Sequence, residues 1–240
     1  MKTNRLKFAV LLLIAGVPSI IKRPLYRFFF GYKIGKRVRI GFSVIDVREC
    51  LIEDDVTIGH LNLFIGTRKL RIGDHAKIGH LNIIRGGDEV DLGRYVEILR
   101  QNEINSIPDP IVVNPTDPRF ILGDGSVIAA SHKIDFTDRV EFGKRVILGG
   151  RNSSLWTHNR QMTSPIVVGD YSYLGSEIRM TPGSQIPPKC IVGIGAVVTK
   201  KFEGEYMLIA GVPAKVAKQL DEDGRFLTEY KTRADLPDEI

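Results

Sequence analysis

The chain has 240 residues and a mass of 26.8 kDa, with 43% hydrophobic and 26% charged side chains. That suits one or two domains with a buried core and excludes wholesale disorder, collagen and a multi-span membrane protein. Two cysteines, Cys50 and Cys190, exclude a disulfide-stapled scaffold and a four-cysteine zinc site.

The net charge of +6 is unevenly spread: residues 1–40 hold ten Lys or Arg and no Asp or Glu, whereas the other 200 hold 24 basic and 28 acidic side chains. A basic end on a mildly acidic body argues against a nucleic-acid-binding surface and toward an anionic membrane face. Between Lys7 and Lys22 runs FAVLLLIAGVPSII, fourteen uncharged residues. A spanning helix needs about 20, and Gly16 and Pro18 weaken this one further. Phe28-Phe29-Phe30 adds a second apolar cluster. Three readings stay open for residues 1–33. One is a cleaved signal peptide, although no small-x-small site ends the run; one is a helix packed on its own protein. The third is an interfacial helix with Lys and Arg at lipid headgroups.

From residue 34 onward an aliphatic or Phe residue recurs every six positions. Ile52, Ile58 and Phe64 form one series, Ile72, Ile78 and Ile84 the next, then Leu92 and Ile98. Leu122, Ile128 and Ile134 follow, then Phe142 and Leu148, and finally Val168, Leu174, Met180, Ile186, Val192 and Val198 without a slip. Ile52, Ile72 and Leu92 stand twenty apart, which is three hexapeptides plus two residues. A fixed period of this kind marks a stacked solenoid, here one of three-sided coils with the aliphatic residue of each side pointing inward. The position four later also points in and is small: Val56, Ala76, Val96, Ser126 and Val146. Fifteen of the 24 glycines directly follow Ile, Leu, Val or Phe. They are expected at coil corners, where steric freedom is needed.

The period breaks twice. The Leu92–Leu122 step is ten residues too long and contains IPDPIVVNPTDP; the Phe142–Val168 step is six too long and contains RNSSLWTHNRQMTSP. Extra residues in a solenoid emerge as loops, here near 100–120 and 150–166, and such loops carry function. Of five histidines, His60 and His80 stack outward in neighbouring coils and His75 lies at a corner. His132 takes an inward position shared with Asn62, Asn82, Asn102 and Asn152, a candidate amide ladder. Its alternatives are a rung of that ladder or a substrate contact. His158, in LWTHNR, lies in the second loop. Asn152 and Trp156 are candidates for holding a substrate, and Trp156 could equally pack the loop base. Cys50 and Cys190 read as buried core thiols. No GxSxG, P-loop or GxGxxG occurs.

The repeat, closed by IVGIGAVVTK at 191–200 and LIAGVPAKVAK at 208–218, resembles the hexapeptide-repeat acyltransferases over about residues 34–220. The resemblance implies an all-β solenoid, a left-handed parallel β-helix spanning 34–201, with the N-terminal segment 1–33 before it and a C-terminal cap and tail at 202–240. It also implies acetyl transfer from acetyl-CoA to a sugar hydroxyl in surface-polysaccharide synthesis, with His158 as general base. For the coenzyme it points to Ser176, to Ile194 where the family usually has Ala, to Thr199 and Lys200, and to Lys215 and Lys218 of the cap. Lys201 stands where the family often has Asp. A homotrimer is implied, no metal is, and a cytosolic donor implies a cytoplasmic enzyme, peripheral at the inner membrane face. The rivals are an N-acyltransferase on an amino-sugar nucleotide or antibiotic, and a metal-dependent or purely structural β-helix.

Overall fold

A computed structural model of the chain describes residues 5–107 and 116–229. The chain start (1–4), part of the first predicted loop (108–115) and the end of the predicted tail (230–240) lie outside the described residues.

The hexapeptides fold into three parallel sheets that form the faces of a prism. The first face has eight strands, from Lys33–Ile34 to Gln185–Ile186, and the third has eight, from Val44–Asp46 to Val197–Val198. The second has ten: it starts at Arg39–Ile40, and past Ile191–Val192 it gains Met207–Ala210 and the antiparallel Lys215–Gln219. Each strand pairs with its equivalent one coil away, as in Leu70↔Val90↔Phe120, so the six-residue period becomes a register in space. The fold is a left-handed parallel β-helix of about 8 turns. Its interior is the predicted column: Ile52, Ile72, Leu92, Leu122, Phe142 and Val168 are buried, and so are Val56, Ala76, Val96 and Val146. The buried hydroxyls of this column are satisfied, Ser126 Oγ donating to the Gly143 carbonyl (2.8 Å) and Ser172 Oγ to that of Pro187 (2.9 Å).

The glycines follow a different rule from the one expected. At the corners the left-handed residues are mostly not glycine: Asp55, His75, Tyr95, Tyr171 and Lys189 all have φ of 57–59°. Each pairs its N–H with the coil below, as His75 does with the Asp54 carbonyl (3.1 Å), which offsets the strain. Most glycines directly after an aliphatic residue serve close approach, whereas Gly31, Gly66 and Gly195 have φ of 66–74° and open space around the missing Cβ, as expected. A Cβ on Gly79 would land on the Leu99 carbonyl oxygen of the next coil.

Asn62, Asn82 and Asn102 form the expected ladder. The Asn82 N–H and Nδ2 both donate to Asn62 Oδ1 (3.0 Å each), Nδ2 also reaches the Leu99 carbonyl (3.2 Å), and Asn102 repeats the pattern on Asn82. The next rung is His132, whose N–H donates to Asn102 Oδ1 (3.0 Å), and the rung after that is Ser153, whose N–H donates to His132 Nδ1 (3.1 Å). Asn152, predicted for that rung, is instead exposed at the corner with φ of 60°. The cause is a bulge: Ile128 pairs with Leu148 but Ala130 with Arg151, so Gly150 adds one residue and shifts the phase. Gly150 has φ of 61°, and a Cβ there would strike the Ser176 hydroxyl.

Residues Arg5–Gly16 (α1) and Ser19–Phe30 (α2) pack across the open end of the first coil, touching all three of its strands. The outer strands there have no coil beneath them, and α2 supplies the missing partners. Arg27 Nη2 donates to the Ile34 carbonyl (2.6 Å), Ser19 Oγ accepts from the Ile40 N–H (2.9 Å), and Lys22 Nζ donates to the carbonyls of Gly41 and Ala15. Burial pulls the Lys22 amine below its ordinary pKa. Lys7 of α1 pairs with the buried Asp46 at 2.5 Å. The segment therefore packs on its own protein. Among the described residues no helix is long and apolar enough to cross a membrane. At the other end Glu222–Glu229 (α3) follows the last strand.

Candidate active site

Both period breaks open at the same edge of the prism, between the third and first faces. The first follows Glu103–Asn105 and the second follows Ser154–Trp156; the uninterrupted corner 135–139 lies between them. That corner reaches both neighbours. Its Thr137 Oγ1 accepts from the Ile107 N–H (3.1 Å), and its Asp138 N–H donates to Thr157 Oγ1 (3.0 Å).

These two contacts fix where the hydroxyl protons point. With their oxygens already accepting, Thr137 Oγ1 donates to Asp135 Oδ1 (2.6 Å) and Thr157 Oγ1 donates to Asp135 Oδ2 (2.8 Å). The Thr157 N–H adds a second bond to Oδ2 (3.0 Å), and the Thr137 N–H a second to Oδ1 (3.3 Å). Every neighbour of Asp135 is thus a donor, the setting of an ionised carboxylate. His158 Nδ1 lies 2.7 Å from the same Oδ2 and must present its proton to it. Nε2 is left without that proton, with a lone pair facing away from the carboxylate. Asp135 is only 6% exposed and His158 24%, so the anion is hidden and the imidazole open.

The loop holds this arrangement firmly. His158 forms an antiparallel bridge with Thr163, and Asn159 Oδ1 accepts from the N–H groups of Gln161 (2.8 Å) and Met162 (2.9 Å). The Ser164 N–H closes the turn on the Thr157 carbonyl (2.8 Å). Chemically the pair can take a proton from a hydroxyl at Nε2 and return it, with Asp135 stabilising the transient imidazolium.

The other predicted residues divide between two edges. Trp156 lies on a strand, not in the loop, 44% exposed and one coil above Asp135, its register partner. Thr199 and Lys200 stand on the His158 edge two coils higher, about 10 Å at the usual strand spacing. Ser176 and Ile194 occupy the next edge, between the second and third faces, on the order of 15 Å along the coil from the loop edge. Ile194 is 74% exposed there, and Lys215 flanks it through its pairing with Ala210. Lys218 lies further along that strand and is bound to Asp221 (3.1 Å). Asn152 shares this second edge. A single chain does not bring His158 together with Ser176 and Ile194.

His132 is placed inside the coil and does not face the loop. Burial lowers its pKa to about 4, against a smaller opposing pull from the Leu148 carbonyl. The native state therefore favours the neutral ring, a stabilisation fully present above the unfolded value near 6.5 and lost as pH falls through about 4. The gap corresponds to about 3 kcal/mol. His132→Asn, which restores the rung used in the three coils before it, should weaken the loss of stability between pH 6.5 and 4 while leaving activity intact. Denaturant midpoints of both proteins across that range measure it; parallel curves would mean His132 does not titrate in this way. His60 and His80 stack at 5.6 Å on the outer surface, and among the described residues no group of three His, Cys, Asp or Glu is placed to hold a metal ion. Both thiols are free and buried, that of Cys50 pushed up to about 12.

Sequence reasoning missed Asp135, Thr137 and Thr157. Position alone does not single out Asp135, because its column runs Asp46, Ile65, Arg85, Asn105, Asp135, Trp156 and already holds a carboxylate in the first coil.

No protein-family model matches the chain. The galactoside O-acetyltransferase of Escherichia coli (strain K12) is 28% identical over 81 residues, 32% of this chain, which spans 39% of that protein's length. Among solved structures, the polySia-specific acetyltransferase NeuO superposes with a TM-score of 0.50 at 16% identity, covering 78% of this chain and 86% of its own. The polysialic acid O-acetyltransferase OatWY gives 0.48 at 17%, covering 78% and 84%. The fold is the hexapeptide-repeat β-helix.

Proposed function

We propose that the protein transfers an acetyl group from acetyl-CoA to a sugar hydroxyl. The observation that carries this reading is His158, fixed by a buried carboxylate with Nε2 open on the edge of a hexapeptide-repeat β-helix. The sugar oxygen attacks the thioester carbon as Nε2 takes its proton. The C–O bond forms, the C–S bond breaks, and the proton passes from Nε2 to the departing CoA thiolate. The imidazole ends neutral and no covalent enzyme intermediate is needed. Backbone N–H groups of the loop or the next coil would hold the oxyanion. Galactoside and polysialic acid O-acetyltransferases among the similar proteins support a carbohydrate acceptor. The test is release of free CoA thiol from acetyl-CoA in the presence of sugars and oligosaccharides; no acceptor-dependent release from any of them would overturn the proposal.

The separation of His158 from Ser176 and Ile194 on two edges supports a homotrimer, in which an edge of one protomer meets the neighbouring edge of the next to complete each site. Lys200 and Lys215 would then flank the CoA phosphates from two protomers, with Lys218 nearby. A Lys200/Lys215/Lys218 triple alanine variant should raise the KM for acetyl-CoA about tenfold and leave that for the acceptor nearly unchanged. An unchanged KM for acetyl-CoA would remove the lysines from the site. A cytosolic donor and the basic, apolar N-terminal segment together support a cytoplasmic enzyme working at the inner membrane surface.

A further inference from the structure

The α1–α2 layer is apolar on both sides. Leu11, Ile14 and Tyr26 face the first coil and are buried, while Leu13, Ile20, Phe28 and Phe29 face away from it, Ile20 and Phe28 at 85% and 83% exposure. A helical layer with two apolar faces needs a cover on the second. The same end exposes Lys33, Lys36 and Arg39, in a stretch of 40 residues without one carboxylate. That charge repels a second copy of the same face and complements anionic headgroups.

We propose that this cap docks on an anionic lipid bilayer with the prism axis standing along the bilayer normal. The orientation follows from the contacts: α1 and α2 lie across the terminal strands of all three faces, so their outer side is the end of the prism and not one of its flanks. The height follows from the ladder. Val44–Asp46 and Lys133–Asp135 are four strand spacings apart in the third face, and the helix layer adds its own thickness. Asp135 and His158 then stand roughly 20–30 Å above the lipid surface. Resting on the acetyl-transfer reading, this narrows the substrate class to glycans carried on a lipid, acetylated several sugar units out from the anchor and not at the lipid-proximal sugar.

Trp156, the sole tryptophan and two residues from His158, is a built-in depth probe. The full chain is mixed with vesicles of phosphatidylcholine containing phosphatidylglycerol, with bromine on the acyl chains. The expected result is binding that weakens with salt, Trp156 emission unquenched, and strong quenching of a Phe28→Trp/Trp156→Phe variant. Ile20→Asp/Phe28→Asp, at two exposed positions, should lower vesicle binding about tenfold or more and leave acetylation of a soluble acceptor unchanged. Several outcomes overturn the proposal: no binding to these vesicles, binding that survives Ile20→Asp/Phe28→Asp, quenched Trp156 in the bound protein, or a change of oligomeric state in that variant. The soluble-acceptor assay reports separately on the acetyl-transfer reading, so failure of either is recognisable alone.

Discussion

Replacing His158 with alanine is expected to lower kcat for acetyl transfer by about 10²–10⁴-fold, the scale of a lost general base, with little change in either KM. Stability should barely move, because the side chain lies at the loop surface and its one strong bond is to Asp135. Asp135→Asn tests the pair differently. An amide at that position turns an N–H or a neutral oxygen toward Nδ1, so the ring is no longer held with its proton there and its lone pair at Nε2. A loss of about 10–10³-fold in kcat is expected, with the KM of both substrates nearly unchanged, because the ring's orientation and tautomer are lost but neither binding site is touched. A merely structural role for Asp135 would reduce the amount of folded enzyme and leave kcat per folded molecule where it was. Near-parental rates in His158→Ala would end the assignment.

Asn82→Leu should be the most damaging single change in the solenoid body. The two side chains have the same heavy-atom count and branching, so most of the cost is in hydrogen bonds. Asn102 loses the acceptor for both its backbone and side-chain N–H, the Leu99 carbonyl loses a donor, and Asn62 loses the Nδ2 bond it accepts. All of these lie in the buried ladder, where each orphaned group costs about 1–3 kcal/mol. A total of about 3–6 kcal/mol is expected, a large fraction of the usual stability of a domain. Denaturant midpoints measure it, with Arg100→Ala on the outer surface as the near-neutral comparison. A loss below about 1 kcal/mol would mean the ladder is incidental.

The aliphatic column was legible in the sequence because a residue that must stack on its own equivalent repeats at the period of the coil. Ile52 to Val198 could be read that way, and so could the Asn ladder up to Asn102. Features that depend on two coils at once were not. The Gly150 bulge displaces Asn152 from the rung by one residue, and nothing in a count of six reveals where an extra residue is absorbed. Asp135 escaped notice because its importance comes from a loop twenty-three residues later, reached across a corner. The corner glycines were assigned to backbone freedom, yet the requirement at Gly79 is the nearness of the Leu99 carbonyl, a neighbour in space only. The N-terminal segment showed its apolar character in the sequence but not that Lys22, Ser19 and Arg27 would face inward and finish the edge of the first coil.

The identity of successive rungs has a consequence for how such a chain changes over time. Residues 67–86 make one turn whose lower and upper neighbours present the same amide, the same aliphatic column and the same corner geometry. Excising that stretch would join Gly66 to Gly87 and set Asn62 directly beneath Asn102, a contact equivalent to the two it replaces. Tandem duplication of the stretch would preserve the interior in the same way, and either change would be felt only on the surface, where Lys69 and Arg71 alternate with acidic residues of the adjoining coils. The chain is modular below its working edge: turns can be gained or lost there without re-solving the packing or disturbing Asp135 and His158. Their number is therefore free to be selected by distance, as the length of a stalk is, and not by the needs of folding.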